Sequence, residues 1–299
     1  MESLRTPDER FSNLPDYDFE PHYIDTLEGY DGLRIHYIDE GPKDADRVFL
    51  CLHGQPTWSY LYRRMIPVFL ESGARVIAPD WLGFGRSDKP VSDDVYTFNF
   101  HRNMMLAFIK ALDLQRITLV CQDWGGLLGL TIPMEMPERF ERLLVMNTAI
   151  ATGTSPGEGF DSWKAFNRSQ PDLPIAALMK RSTPVLTDAE AAAYEAPYPD
   201  HRYKAGVRRF PELVMVAPDM EGVDISKRAA EFWSKDWTGD SFMAIGMQDP
   251  VLGPPIMRDL QKTIRGCPEP IEIPEGGHFV QEHGDQIARA ALKKWGDLA

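Results

Sequence analysis

The segment ITLVCQDWGGLLGL at residues 117–130 constrains the fold more than any other part of the chain. An apolar, β-branched run leads directly into two glycines and a helical pattern, as in sharp strand-to-helix turns that expose one reactive side chain. A serine usually stands at the tip of such a turn, but here the residue is Asp123. An aspartate also suits a helix N-cap, which is the alternative interpretation. The segment therefore predicts a strand followed at once by a helix, with a carboxylate between them.

Short apolar runs alternate with helical patterns on both sides of this turn. Strands are predicted over residues 47–54, 75–81, 117–123, 142–149, 241–249 and 270–277, and helices over 60–72, 100–114, 125–136, 255–265 and 280–295. This alternation is typical of an α/β fold, a mostly parallel sheet flanked by helices. Residues 19–41 predict an antiparallel hairpin at the edge of that sheet.

The alternation stops after residue 150. Residues 152–222 are rich in Pro, Gly, Ala and aromatic residues, and they contain helical stretches without a strong strand pattern. We therefore expect one α/β core in two parts, residues 1–151 and 223–299, interrupted by a helical cap over 152–222.

Composition argues against several kinds of partner. The formal net charge is −13 and lysines and arginines form no long cluster, so a nucleic-acid partner is not expected. Three cysteines give no disulfide framework, which favours a reducing, cytoplasmic location. The charged N-terminus lacks a signal-peptide core, and no apolar run approaches about 18 residues, so no membrane partner is expected. We expect a monomer.

Three polar residues follow predicted strands, at the edge where parallel sheets bind ligands. Asp123 and Asp249 end their strands, and His278 comes just after the strand of residues 270–277. The chain order nucleophile, acid, histidine is that of an α/β-hydrolase triad. Their joint occurrence favours a catalytic Asp123 over a helix cap.

A second motif, GTSPG at residues 153–157, matches the serine form of the turn by its letters. No strand pattern leads into Ser155, and Pro156 lacks the N–H that would have to stabilise an oxyanion. We therefore predict a loop there. In QDWGG the corresponding donor is the backbone N–H of Trp124, and Gln55 in HGQPTW supplies the predicted second donor.

A carboxylate nucleophile suits a particular kind of reaction. It is ionised at neutral pH, so it attacks a saturated carbon with a good leaving group, or a strained ring, without a base. The resulting alkyl ester of Asp123 would be hydrolysed by water that His278 activates, while Asp249 orients the imidazole. Hydrolysis of haloalkanes to a primary alcohol and halide fits this scheme, and epoxide hydrolysis is the alternative.

The leaving group distinguishes these two reactions. A halide needs hydrogen-bond donors in a dry pocket, and the indole N–H groups of Trp124 and Trp163 are suitable donors. Packing within the cap explains Trp163 equally well. An epoxide oxygen needs a proton from an acidic hydroxyl, and the cap residues Tyr194, Tyr198 and Tyr203 keep that alternative open.

The motifs HGQPTW, RVIAPDWLGFGRSDKP, QDWGG, FMAIGMQDP and GGHFVQE resemble those of haloalkane dehalogenases over nearly the whole chain. The resemblance implies an α/β-hydrolase fold with a helical cap, and it gives the triad and the two tryptophans the roles described above. It is strongest to the subgroup with its acid after the family's seventh strand, because Asn147 follows the sixth. Gln55 departs from the asparagine or glutamate of the subgroups, so only its backbone role is expected.

The resemblance also implies an apolar substrate pocket. Its predicted lining residues are Phe160, Phe210, Pro211, Val214, Val251 and Leu252. It implies a small halogenated substrate and a halide ion as ligands, with water as co-substrate and neither a metal nor an organic cofactor. A non-catalytic binding protein on the same scaffold is the alternative from another class.

Overall fold

A computed structural model describes residues 1–298 and has an eight-stranded sheet at its centre. The strands in chain order are β1 (Ser3–Leu4), β2 (His22–Ile24), β3 (Ile35–Glu40), β4 (Val48–Leu52), β5 (Arg75–Pro79), β6 (Lys89–Pro90), β7 (Ile117–Gln122), β8 (Phe140–Met146), β9 (Asp240–Gly246) and β10 (Ile271–Ile273). The order across the sheet is β10–β9–β8–β7–β4–β5–β3–β2, and β1 pairs with β6 separately.

Six neighbouring strands, from β10 to β5, are parallel, whereas β3 and β2 run antiparallel at one edge. Every residue of β4 and β7 is buried, which explains their continuous apolar runs in the sequence. The mostly parallel sheet and the antiparallel edge hairpin predicted from the sequence are confirmed.

Ten α-helices occur within residues 1–298. They are α1 (Ile66–Leu70), α2 (Phe98–Ala111), α3 (Trp124–Gly129), α4 (Glu158–Arg168), α5 (Ile175–Ser182), α6 (Asp188–Glu195), α7 (Ala205–Leu213), α8 (Val223–Lys235), α9 (Pro254–Thr263) and α10 (Gly284–Trp295). Short 3-10 helices cover Asp8–Phe11, Ser59–Tyr62, Asp93–Val95, Pro133–Glu135, Pro137–Arg139, His201–Lys204 and Val280–His283. Helices α4–α7 fall within the residue range predicted for the cap.

Two helices are shorter than the sequence pattern predicted. The single helix expected over 60–72 is a 3-10 turn followed by α1, which begins one residue before Pro67. Proline fits only the first turn of a helix, because it has no N–H and its ring clashes with the preceding turn. The helix expected over 125–136 ends as α3 at Gly129, and Pro133 begins a separate 3-10 turn. In both cases proline starts a new element where apolar spacing predicted continuation.

No helix within residues 1–298 combines the length and apolar character needed to cross a membrane.

Candidate active site

The turn between β7 and α3 carries Asp123 at its tip. The Asp123 backbone has φ 50° and ψ −124°, a region that strains any residue other than glycine. Gly125 permits the close approach of α3 to the sheet, because a Cβ there would lie 1.9 Å from the carbonyl oxygen of Leu52. The Asp123 side chain makes no capping hydrogen bond to α3 and instead lines a cavity. Helix capping therefore does not explain this aspartate.

The three residues predicted as a triad lie together at the carboxyl ends of β7, β9 and β10. His278 Nδ1 is 2.8 Å from Asp249 Oδ2, and His278 Nε2 is 3.5 Å from Asp123 Oδ2. The Asp249 side chain is fully buried, whereas those of Asp123 and His278 are 14% and 15% exposed. The imidazole thus bridges one buried carboxylate and one that faces the cavity.

The two carboxylates determine the protonation of His278. Burial alone would lower the pKa of His278, but the charges and hydrogen bonds of Asp249 and Asp123 raise it to about 10. Burial would likewise raise the pKa of Asp249, but His278, the Val251 N–H and Asn147 together lower it. While they are charged, both carboxylates therefore favour the protonated form of His278.

The sequence did not reveal how Asp249 is held. Asn147, just after β8, donates from Nδ2 to Asp249 Oδ2 at 2.9 Å, and it also bonds the Gly246 backbone. The N–H groups of Val251 and Leu252 donate to the other oxygen of Asp249 at 2.8 and 3.1 Å. Asn147 is a fully buried polar residue directly after an apolar strand. That position in the sequence was the signal from which a role for Asn147 at the site could have been predicted.

The loop after β4 places Gln55 against the Asp123 turn. The backbone N–H of Gln55 donates to Asp123 Oδ1 at 2.7 Å. Trp124 is the first residue of α3, so its own N–H has no acceptor within that helix. No role was predicted for the Gln55 side chain, which donates from Nε2 to the carbonyl oxygen of Val207 in α7 at 2.9 Å. Its backbone and its side chain therefore contact different parts of the molecule.

A cavity of about 410 Å³ lies between the strand ends and helices α4, α5 and α7. Asp123, Trp124 and His278 line it from the side of the sheet, and Trp163 lines it from α4. Five of the predicted pocket residues also line it, namely Phe160, Pro211, Val214, Val251 and Leu252. Sequence reasoning missed the contributions of Leu178 and Arg181 from α5 and of Phe279 beside the histidine.

Phe210, which was also predicted to line the pocket, instead lies behind its wall. The Phe210 ring is fully buried, and its centroid is 4.7 Å from that of Trp124. It packs further against Phe84 and His101. Phe210 and Pro211 are adjacent in α7 and so point about 100° apart around the helix, which allows only one of them to face the cavity. Phe210 thus supports the Trp124 ring from behind.

The indole groups of the chain fall into two sets. Trp58, Trp81, Trp233 and Trp237 each donate their N–H to a protein oxygen. Within residues 1–298 the N–H groups of Trp124 and Trp163 have no protein acceptor, and both side chains line the cavity. The buried Nε1 of Trp295 also lacks a partner, but Trp295 does not line the cavity. The cavity therefore contains two unused donors suited to an anion.

The cap tyrosines that favoured epoxide chemistry do not reach the cavity. Tyr194 is fully buried and donates its hydroxyl to Glu282, while the Tyr198 hydroxyl donates to the Pro56 carbonyl oxygen at 3.2 Å. Tyr203 packs against the hydrophobic core. In the described part of the chain no tyrosine lines the cavity, so no phenol is placed to protonate an epoxide oxygen.

The serine motif forms a loop ahead of α4. Ser155 Oγ donates to Asp161 Oδ1 at 2.9 Å and accepts the Gly157 N–H at 3.1 Å. Ser155 follows no strand, as expected from the sequence. Among residues 1–298, no group of three or more His, Cys, Asp or Glu side chains is arranged to hold a metal ion.

Comparison with known proteins supplies the family. A family model described as alpha/beta hydrolase fold matches residues 47–285. A haloalkane dehalogenase of Psychrobacter cryohalolentis is 46% identical over 299 residues, which cover 98% of each chain. Another from Mycobacterium marinum is 42% identical over 298 residues, covering 98% of this chain and 99% of the relative.

A solved structure gives the same result. The tetrameric haloalkane dehalogenase DpaA from Paraglaciecola agarilytica matches with 54% identity and a TM-score of 0.96, over 98% of both chains. These similarities extend over 98% of the chain. The chain therefore belongs to the haloalkane dehalogenase family of α/β-hydrolases, enzymes that hydrolyse carbon–halide bonds, and not to the epoxide hydrolases or to a group of non-catalytic binding proteins.

Proposed function

We propose that this enzyme converts haloalkanes to primary alcohols through a covalent alkyl ester of Asp123. The carboxylate geometry carries the proposal, because Asp123 lines the cavity with Oδ1 held by the Gln55 N–H at 2.7 Å and with Oδ2 3.5 Å from His278 Nε2. Oδ2 attacks the carbon from the side opposite the halogen. The carbon–oxygen bond forms as the carbon–halogen bond breaks, and the halide leaves with the electron pair.

The departing halide is received by the indole N–H groups of Trp124 and Trp163. Support comes from their position in the cavity wall and from their lack of protein acceptors within residues 1–298. A halide carries no proton, so donors that cannot ionise suffice. The apolar side chains around them exclude water, which strengthens hydrogen bonds to the anion.

His278 acts in the second step. Ester formation neutralises Asp123 and so removes one of the two charges that raise the pKa of His278. The neutral imidazole takes a proton from water, whose oxygen attacks Cγ of the ester, and Asp249 stabilises the imidazolium that results. The N–H groups of Gln55 and Trp124 stabilise the tetrahedral oxyanion, at about 3–4 kcal/mol per donor in comparable enzymes. Collapse of this intermediate breaks the bond between Cγ and the alkyl oxygen, and the departing alkoxide takes the proton of the newly added hydroxyl, which releases the alcohol and restores the Asp123 carboxylate. Water is the sole co-substrate.

The proposed catalytic and substrate-binding roles fall on different parts of the chain. Residues 1–151 and 223–299 form the catalytic core, and residues 152–222 form the cap. The cap contributes Trp163 and the apolar side chains of Phe160, Pro211 and Val214, whereas Val251 and Leu252 come from the core. Substrates of this cavity are small and apolar.

Single-turnover hydrolysis of 1-bromobutane in heavy-oxygen water tests the ester. With enzyme in excess, the alcohol should carry ordinary oxygen taken from Asp123, while the label enters the aspartate because water attacks Cγ. Mass spectrometry of the alcohol and of the Asp123 peptide measures both. Labelled alcohol in the first cycle would overturn the ester. A parallel incubation with styrene oxide should give no diol, and diol formation without bromide release would support epoxide chemistry instead.

The assembly of the chain is a separate question. The sequence-based expectation is a monomer, whereas the 54% identical relative from Paraglaciecola agarilytica is described as a tetramer. Light scattering after gel filtration distinguishes a 33.9 kDa monomer from a species four times heavier. All the side chains assigned above belong to one chain, so the chemistry is the same in either state.

A further inference from the structure

Gln122 is the last residue of β7 and directly precedes the proposed nucleophile. Its side chain is fully buried, and its amide nitrogen lies 3.0 Å from the carbonyl oxygen of His278. The same nitrogen lies 3.1 Å from His278 Nε2. A backbone carbonyl oxygen can only accept, so the group facing it is the NH₂ of the amide. One amide group thus contacts His278 at both its backbone and its ring.

The second contact depends on the protonation of the ring. An N–H from Gln122 is accepted by Nε2 only when that nitrogen carries a lone pair, which places the imidazole proton on Nδ1. This is also the form in which Nδ1 donates to Asp249 Oδ2 at 2.8 Å. In the imidazolium, two N–H donors would face each other 3.1 Å apart.

We propose that Gln122 is a positioning residue that favours the neutral imidazole of His278 once the ester has formed. The water to be activated then replaces the Gln122 N–H at the Nε2 lone pair, while Gln122 keeps its hydrogen bond to the His278 carbonyl oxygen. The inference rests on the proposed role of His278 as the base that activates water. Gln122 itself touches neither substrate nor water in this scheme. It acts through the histidine.

The charged groups around the ring explain why such a residue is useful. Asp249 and Asp123 both favour the imidazolium. The positively charged side chain of Arg181, from α5, lines the same cavity. Esterification removes the charge of Asp123 but not that of Asp249. The Gln122 N–H, 3.1 Å from Nε2, counteracts the effect of Asp249 on the protonation of the ring. A larger fraction of His278 is then neutral and can accept a proton.

The Gln122 amide is held firmly enough for this role. Strand β7 lies between β4 and β8, so its backbone is fixed by ladders on both sides. The other end of the amide, Oε1, accepts a hydrogen bond from Gln281 Nε2 at 3.4 Å. Gln281 is also fully buried, in the 3-10 turn Val280–His283. It contacts Gln122, but no hydrogen bond joins its side chain to His278.

The test measures decay of the alkyl-enzyme against pH, by rapid quench and intact-protein mass spectrometry after a pulse of 1-bromobutane. Gln122→Met keeps the length of the side chain and removes its donors. The pH midpoint for decay should rise by about 0.5–1 unit, the effect of one neutral hydrogen bond, because more of the histidine stays protonated. The preceding bromide burst should be unchanged, since Asp123 attacks without a base.

Gln281→Met is the matched control, because it removes a buried amide from the same cluster without touching the ring. Its midpoint should rise by less than that of Gln122→Met, because it removes only the 3.4 Å hydrogen bond to Gln122 Oε1. Gln122→Glu is a second variant, in which an acceptor replaces the donor, and its midpoint should rise at least as far as that of Gln122→Met. An unchanged midpoint in both Gln122 variants, or an equal rise in Gln281→Met, would overturn the proposal. Absence of the bromide burst in the wild type would instead refute the proposed function.

Discussion

The cavity has two walls that are fixed in different ways. On the core wall, backbone groups fix both carboxylates: Asp123 is held by a strained turn and the Gln55 N–H, and Asp249 by the N–H groups of its own loop. The cap wall is built from side chains of α4, α5 and α7, including apolar Phe160 and the free indole of Trp163. In the proposed mechanism, bond-making therefore belongs to the core wall, the halide is bound by one indole from each wall, and the fit of the substrate depends largely on the cap wall.

Substitution of the core wall should give the largest effects. Asp123→Asn should lower bromide release by about 10⁴-fold or more, because an amide does not displace a halide. His278→Phe should instead retain one equivalent of bromide burst and accumulate protein that carries the added alkyl mass. Ion chromatography and intact-protein mass spectrometry distinguish the two variants. A His278→Phe enzyme without a burst would show that the histidine already acts in the first step.

The protonation of His278, on the core wall, also predicts the step at which the reaction releases its proton. The pKa of His278 is raised to about 10 while Asp123 is charged, so the histidine is protonated at pH 8 in the free enzyme. Esterification lowers that pKa by removing a negative charge, and a proton should then leave together with the halide. Stopped-flow with a pH indicator under single-turnover conditions follows this proton. Proton release that coincides with the alcohol would mean that His278 is neutral in the free enzyme.

Substitution of Trp124 on the core wall and of Trp163 on the cap wall compares the two walls directly. Trp124 is 3% exposed and its ring is packed on Phe210, whereas Trp163 is only partly buried on α4. Loss of a donor to an anion costs more where the donor is fixed and dry, so Trp124→Phe should weaken bromide binding by about 10–100-fold. Trp163→Phe should weaken it by about 3–10-fold. Trp295→Phe, far from the cavity, is the control in calorimetric bromide titrations. Equal losses at both positions would mean that the cap holds its indole as firmly as the core does.

The same contrast explains what could be predicted from the sequence. The polar residues at the strand ends could be predicted because a polar residue after a buried apolar run has few structural roles. Asp123, Asp249 and His278 were predicted on that basis. The helical pattern of α7 did not reveal which of Phe210 and Pro211 faces inward, because adjacent residues differ only by rotation about the helix. Pro67 was likewise placed in the interior of a helix, whereas it is the second residue of α1.

Supporting contacts were the least predictable part of the site. Asn147 and Gln122 hold Asp249 and His278 through side chains that are more than 100 residues apart in the chain. Such pairs depend on the order of β7, β8 and β9 across the sheet and on strand lengths accurate to one residue. Their position after or within a buried strand could be predicted from the sequence, but the residue that each contacts could not.

The smallest expected effect is at Gln55, where the two walls meet. Its backbone N–H serves the core wall and its side chain ties the loop to the Val207 carbonyl oxygen of α7. Gln55→Ala removes only the tie, so bromide release should stay within about threefold of the wild type, while the free energy of unfolding falls by about 1 kcal/mol. Steady-state bromide assays and urea denaturation measure the two quantities. A rate loss of about 100-fold without loss of stability would assign the Gln55 side chain to the chemistry. The distinction between a core wall that reacts and a cap wall that shapes the substrate site would then not hold at this position.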